Sequence, residues 1–234
     1  MNKPFGNDNP ALWEYVAETY LPEDEVLREI RERSAREGLP DIQLAALDAR
    51  HLEVLSRAVS PRRAVEVGTL AGYSGVSIMR GMAPDGVLDT IELDGHHAEV
   101  ARESFRRAGF AERVRIHVGD AGTILRQLAA QSPFDLCFID ADKESYPEYV
   151  LWAGEHLRPG GLVVLDNAFL FGHVGERAEG ERSERSFGPS RQHYGLPTVF
   201  NQARGFADRD QARRTGIPER QRRTGQPELN GDVG

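Results

Sequence analysis

Ala64-Val65-Glu66-Val67-Gly68-Thr69-Leu70-Ala71-Gly72-Tyr73-Ser74-Gly75 opens as a short apolar run, breaks into a glycine-rich turn and continues into residues that suit a helix. Four more runs of strand length follow: Val87-Leu88-Asp89-Thr90-Ile91, Val114-Arg115-Ile116-His117-Val118, Phe134-Asp135-Leu136-Cys137-Phe138-Ile139 and Leu162-Val163-Val164-Leu165. Between them lie polar segments of helix length, Ser74–Ala83, His96–Ala108, Ala121–Gln131 and Tyr146–Leu157. Strands that alternate with helices require crossover connections, which build a parallel sheet covered on both faces. The spacing predicts a doubly wound α/β block over about residues 63–167.

Outward from this block the texture changes. Pro22 and the acids Glu23, Asp24 and Glu25 precede Arg28, Arg31, Arg33 and Arg36, and Gly38 follows. Acid first and base last complements a helix dipole. Asp24/Arg28, Glu29/Arg33 and Glu32/Arg36 stand four apart and can pair on its surface. Its apolar face, Val26, Leu27 and Ile30, is thin, so the helix is expected to pack on another element or another subunit. A second helix is expected from Leu44 to Val59, ended by Pro61. Residues 172–195 are rich in Gly, Glu, Arg and Ser and read as a solvated loop. The patch Leu196–Phe200 is expected to dock back onto the core. From residue 205 to 234 no period of two or 3.6 survives, and this tail is expected to be disordered.

The chain has 234 residues, 39% of them hydrophobic and 28% charged, with net charge −8. No apolar run approaches membrane-spanning length, and no secretory signal is visible. The single cysteine, Cys137, excludes an internal disulfide and a cysteine-built zinc site, and points to a reducing, cytoplasmic setting. The acidic balance argues against a nucleic-acid partner. Of 29 basic residues only two are lysine, Lys3 and Lys143. Arginine keeps its proton in a protein whereas lysine can release it. Lys143 is thus the one internal basic side chain, histidines aside, able to act as a base.

Ligands of open α/β sheets bind outside the carboxyl ends of the strands, so the residues there are the candidates. The glycines after the first strand fall at 68, 72 and 75, which is not the nicotinamide-dinucleotide spacing. Glu92, after the second strand, can accept ribose hydroxyls, with Glu66 beside the same crevice; the other reading is two solvated turn acids. Asp120, after Gly119, reads first as the N-cap of the next helix. The fourth strand ends in Asp140-Ala141-Asp142-Lys143 and the fifth in Asp166-Asn167. Two readings stand for that acidic edge: an ion pair between Lys143 and an aspartate, or a Mg²⁺ site of Asp140, Asp166 and Asn167 with Lys143 beside it. The histidines, Cys137 and the Tyr146/Tyr149 pair read as structural.

Together these strand ends resemble the cation-dependent class I O-methyltransferases of the catechol and caffeoyl-CoA type, over roughly residues 40–171. The resemblance implies a Rossmann-like, mainly parallel sheet, S-adenosylmethionine (SAM) as cofactor and Mg²⁺ or another divalent cation. It implies Leu44, Glu66, Gly68, Thr69, Tyr73, Ser74, Glu92, Gly119, Asp120, Ala121, Asp140 and Asp142 as the cofactor site. It implies Asp140, Asp166 and Asn167 as metal ligands and Lys143 as general base. The acceptor it implies is a small molecule with vicinal hydroxyls. Phe171 stands where plant members place a polar substrate contact, so the acceptor is expected to differ from theirs. The resemblance further implies a homodimer. The expected division is N-terminal helices at 1–60, a SAM-dependent methyltransferase core at 61–204 and the tail at 205–234. Family members end in paired antiparallel strands, and nothing after Gly205 reads that way. Competing readings are a tRNA modified-base O-methyltransferase and an inactive SAM-binding protein.

Overall fold

A computed structural model describes residues 23–168 and 198–201, with Ala11, Tyr15 and Thr19 from the segment before them. Helices α1 (Glu25–Arg36) and α2 (Ala46–Val59) precede the sheet. The alternation then runs β1 (Arg63–Val67), α3 (Tyr73–Gly81), β2 (Val87–Glu92), α4 (Gly95–Arg107), β3 (Val114–Val118), α5 (Ala121–Leu128), β4 (Phe134–Ile139), α6 (Tyr146–His156) and β5 (Leu157–Leu165). A final strand, β6, spans Thr198–Asn201. The sheet order is β3-β2-β1-β4-β5-β6. The first five strands are parallel, and β6 runs antiparallel to β5 with Val163 opposite Phe200.

Period-two alternation divides the strands between two cores. Ala64, Leu88, Leu136, Phe138, Leu162 and Val164 pack with α1 to α4 on one face. Val65, Val67, Ile91, Cys137, Ile139, Val163 and Leu165 pack with α5 and α6 on the other. Cys137 is fully buried, and burial pushes its thiol up to about 12, which suits a core residue.

Helix α1 docks within the chain. Leu27 and Ile30 join the first core, and Arg33 is buried with Nη1 3.5 Å from Ser104 Oγ of α4. Burying an aliphatic side chain contributes about 1.5–3 kcal/mol, against about 0–1 for a surface ion pair. Two apolar residues therefore anchor α1 more firmly than the expected pairs Glu29–Arg33 (3.9 Å) and Glu32–Arg36 (3.7 Å), both of which form. The expected Asp24–Arg28 pair does not. Asp24 instead caps α1 by accepting Leu27 N–H at 3.0 Å and pairs with Arg80 of α3 at 2.7 Å.

Two further boundaries differ from the expectation. The last crossover helix stops at His156, and β5 starts at Leu157, earlier than the apolar run at Leu162. Leu157 pairs with Phe134 and Leu162 with Leu136, so the register shifts across Arg158-Pro159-Gly160-Gly161. Arg158 Nε reaches Asp135 at 2.6 Å and holds this irregular start. One antiparallel strand, β6, pairs along Leu162–Leu165, while the reading of the chain after Gly205 falls outside the described residues. Phe171, the loop at 172–195 and the tail at 205–234 lie outside the described residues.

Candidate active site

Register decides which residues share the carboxyl edge. Val67, Ile91, Ile139 and Leu165 lie in one row across β2-β1-β4-β5. Gly68, Glu92, Asp140 and Asp166 are the residues that follow this row. Backbone bonds extend it by one step: Gly68 N–H donates to Ile91 O at 3.0 Å, Asp140 N–H to Val67 O at 2.9 Å and Asp166 N–H to Ile139 O at 3.0 Å. Strand order reverses between β1 and β4, the switch point where such sheets open a crevice.

The glycine turn is built tightly at that point. Gly68 has φ +95°, and a Cβ there would lie 1.9 Å from the carbonyl oxygen of Asp140. Glu66 is fully buried under the turn, accepting Ser74 Oγ–H and Thr90 Oγ1–H, each at 2.6 Å. Burial pushes its carboxyl up to about 7, with Ser74 and Thr90 opposing the rise. Thr69 Oγ1 continues the chain to Thr90 Oγ1 at 2.6 Å. Glu92 accepts the Thr69 and Leu70 N–H groups at 3.2 and 2.8 Å and the Asp94 N–H at 3.0 Å. Two expected acids thus brace the turn from below and from the side.

Other expected cofactor residues are dispersed around this edge. Gly119 N–H donates to Glu92 O at 2.8 Å, which joins the β2 and β3 ends. Asp120 caps α5 through Thr123 N–H at 2.8 Å, the role its position suggests, and Ala121 opens that helix. Leu93 (76% exposed) and Val118 (52% exposed) leave apolar surface along the same edge. Asp142 accepts Ser145 N–H at 3.1 Å and Tyr149 O–H at 2.8 Å. Tyr73 is buried, its hydroxyl bonded to Glu23 and the Arg31 guanidinium 4.7 Å from its ring centre. Arg31 also donates to Leu44 O at 3.4 Å, so Leu44 and Tyr73 are both joined to α1 through Arg31.

The expected metal ligands and the expected base meet at the acidic edge. Lys143 Nζ lies 3.0 Å from Asp140 Oδ1, so the ion pair forms. The same amine bonds to Tyr146 Oη and sits 4.6 Å from that ring's centre. Asp166 is 8% exposed, and burial, then the Asp140 charge, push its carboxyl up to about 6 against the pull of Lys143. Asn167 takes φ +51°, a left-handed conformation asparagine tolerates. Among the described residues no three His, Cys, Asp or Glu side chains are grouped so as to hold a metal ion.

Three residues of this edge escape a reading of the sequence. Asp48, in the first turn of α2, is 6% exposed, and burial followed by the Asp166 charge pushes its carboxyl up to about 7. No motif marks it, because its neighbour belongs to the far end of the sheet. Tyr146 and Tyr149 read as a packed face. Their rings do pack, but their hydroxyls reach Lys143 and Asp142. The available signal was the placing of Tyr146 three residues after Lys143, which brings both to one side of a helical turn.

Comparison with known proteins agrees with this arrangement. A profile of the O-methyltransferase family matches residues 16–190. The chain is 36% identical over 199 residues to a catechol O-methyltransferase of Mycobacterium tuberculosis, covering 84% of this chain and 90% of that protein. It is 38% identical over 162 residues to a catechol O-methyltransferase of Niastella koreensis, covering 68% and 73%. The O-methyltransferase of Bacillus cereus, solved in complex with SAH, superposes with TM-score 0.70 at 33% identity, covering 73% of this chain and 79% of that one. The sheet and its carboxyl edge are those of the SAM-dependent methyltransferases. Within that class, the chain belongs to the O-methyltransferase family.

Proposed function

We propose that this SAM-dependent O-methyltransferase acts on a hydroxyl of a catechol-like small molecule, with Mg²⁺ or another divalent cation and with Lys143 as general base. The observation that carries the reading is the Lys143 amine 3.0 Å from Asp140, at the strand edge that also carries the buried Asp166. The catechol named for the two bacterial relatives supports the acceptor class.

The residues fit a divalent cation by their chemistry. Burial, then the neighbouring Asp140 charge, push the Asp166 carboxyl up to about 6, and a positive ion beside both acids would offset that cost. Asp140, Asp166 and the Asn167 carboxamide would hold the ion, leaving positions for water and acceptor oxygens, as a hard cation prefers. The cofactor also fits. The glycine turn keeps side chains out of the β1–β4 crevice, Glu92 offers carboxylate lone pairs, and Leu93 and Val118 leave apolar surface. When bound, the cofactor supplies an electrophilic methyl group, and the cation lowers the pKa of a hydroxyl beside it.

The protein's own residues then do three things. Glu66, Ser74 and Thr90 hold the glycine turn rigid from below. Asp140 holds the Lys143 amine at the acceptor side of the crevice. Lys143 accepts the hydroxyl proton on Nζ as the acceptor oxygen becomes a nucleophile, so positioning and a placed base share the work.

The test is a methyl-transfer screen over vicinal diphenols, with EDTA and with added Mg²⁺. Transfer is expected only with the cation, and full turnover in chelator discards the metal. Lys143→Arg keeps the charge but cannot accept the proton. It is expected to lower kcat by about 10²–10⁴-fold while calorimetry finds SAM binding unchanged. Retained turnover in that variant removes Lys143 as the base.

A further inference from the structure

We propose that Tyr146 is the positioning residue that aims the Lys143 amine, a role that rests on reading Lys143 as the base. Tyr146 opens α6, is 8% exposed and has its ring packed in the second core. Its hydroxyl lies 3.1 Å from Asp166 O and 3.3 Å from Ile139 O. A phenol carries one hydrogen, and these two carbonyls can only accept it. Toward Lys143 Nζ the Tyr146 oxygen must therefore act as acceptor.

That assignment fixes a direction. The Lys143 nitrogen has four tetrahedral positions. One is bonded to Cε, one points to Asp140 Oδ1 at 3.0 Å and one to Tyr146 Oη. The fourth is set by the other three. The Lys143 side chain is 28% exposed, so this last direction is the one an acceptor hydroxyl can meet. With Asp140 alone the amine could swing on its flexible stem. The second anchor, tied to the backbone at the carboxyl ends of β4 and β5, converts a mobile lysine into an aimed one. A small misplacement of a reacting group costs about 10²-fold in rate.

Tyr146→Phe keeps the ring and removes the oxygen. It is expected to lower kcat about 10–100-fold, with KM for the acceptor and the affinity for SAM little changed. In a Lys143→Ala background the same substitution is expected to do nothing further, because a residue acting through Lys143 has nothing left to aim. A third measurement uses no turnover. Lys3 and Lys143 are the only lysines, so protein carrying ¹³C-lysine gives two Cε signals, assigned with Lys3→Arg. Lys143 is expected to show a rigid side chain with two inequivalent Hε protons, which become averaged in Tyr146→Phe.

An Hε pair already averaged in the unsubstituted protein overturns the proposal. So does a wild-type kcat in Tyr146→Phe, or an equal loss with and without Lys143. If Lys143→Ala itself retains full activity, the base assignment fails instead, and the Hε signals still report whether Tyr146 holds the amine.

Discussion

Gly68 shows how one residue can be constrained from far along the chain. Its φ of +95° disfavours any side chain, and the Asp140 carbonyl occupies the place of a Cβ. Neither strand end can retreat, because Gly68 N–H is bonded to Ile91 O and Asp140 N–H to Val67 O. Gly68→Ala is expected to cost about 2 kcal/mol or more, lowering Tm by roughly 4–8 °C in a thermal melt. The same substitution at Gly95, where a Cβ meets nothing within 4 Å, is the control and is expected to shift Tm far less. The turn was legible in the glycine spacing, but the oxygen that makes Gly68 obligatory was not. Glu66 and Asp120 show the same split. Each was marked by its place after or within a strand, yet only the fold shows one buried beneath Ser74 and Thr90 and the other capping α5.

At the scale of elements, α1 illustrates what periodicity can and cannot say. Its acid-to-base polarity and its stop near Gly38 were readable, because dipole and capping preferences act within one helix. Its docking site was not, since a thin apolar face is complementary to many surfaces. The structure seats Leu27 and Ile30 in the core that holds α3 and α4, and lets Asp24 abandon Arg28 for Arg80. Ile30 is 2% exposed, so Ile30→Ala is expected to cost about 2–4 kcal/mol by denaturant titration. Glu32→Ala, on the solvent side, removes the exposed contacts to Arg28 and Arg36 and is expected to cost under about 0.5 kcal/mol. Equal losses in the two variants would show that α1 is not held by its apolar face.

Across the whole molecule, buried carboxylates tie stability to pH. Burial raises the Glu66 and Asp48 carboxyls from 4.5 and 3.8 to about 7, and Asp166 from 3.8 to about 6. Below the ordinary carboxylate range these groups are protonated in both the folded and unfolded chain. Between that range and about pH 7 the unfolded chain releases protons that the folded chain keeps, so stability falls as pH rises. Above about 7 both states are ionised and the loss levels off. Asp24 and Asp135 have the opposite sign: their hydrogen bonds and arginine partners lower their carboxyls, and the stability they add is lost only as pH falls below 3.8. The cation-free protein is therefore expected to be less stable at pH 8 than at pH 5. Asp48→Asn is expected to recover part of that loss at pH 8 and almost none at pH 4, read as denaturation midpoints at the two pH values. A gain of the same size at both would mean that Asp48 is not held protonated in the fold.

The alternation of apolar runs with helix-length polar segments was enough to settle a parallel sheet with helices on both faces. Local periodicity and the handed connection of strand to helix act over a few tens of residues, and those are written in order along the chain. The glycine turn, the acids after the strands and the lone internal lysine were readable for the same reason: each sits next to a strand end. Folding alone brought Asp48 of α2 within the field of Asp166, placed the Tyr146 hydroxyl against the Asp166 carbonyl, and set β6 against β5. Those are contacts between segments far apart in the chain, selected by packing and by sheet register. No local preference encodes such a contact, because its energy exists only once both partners are in place.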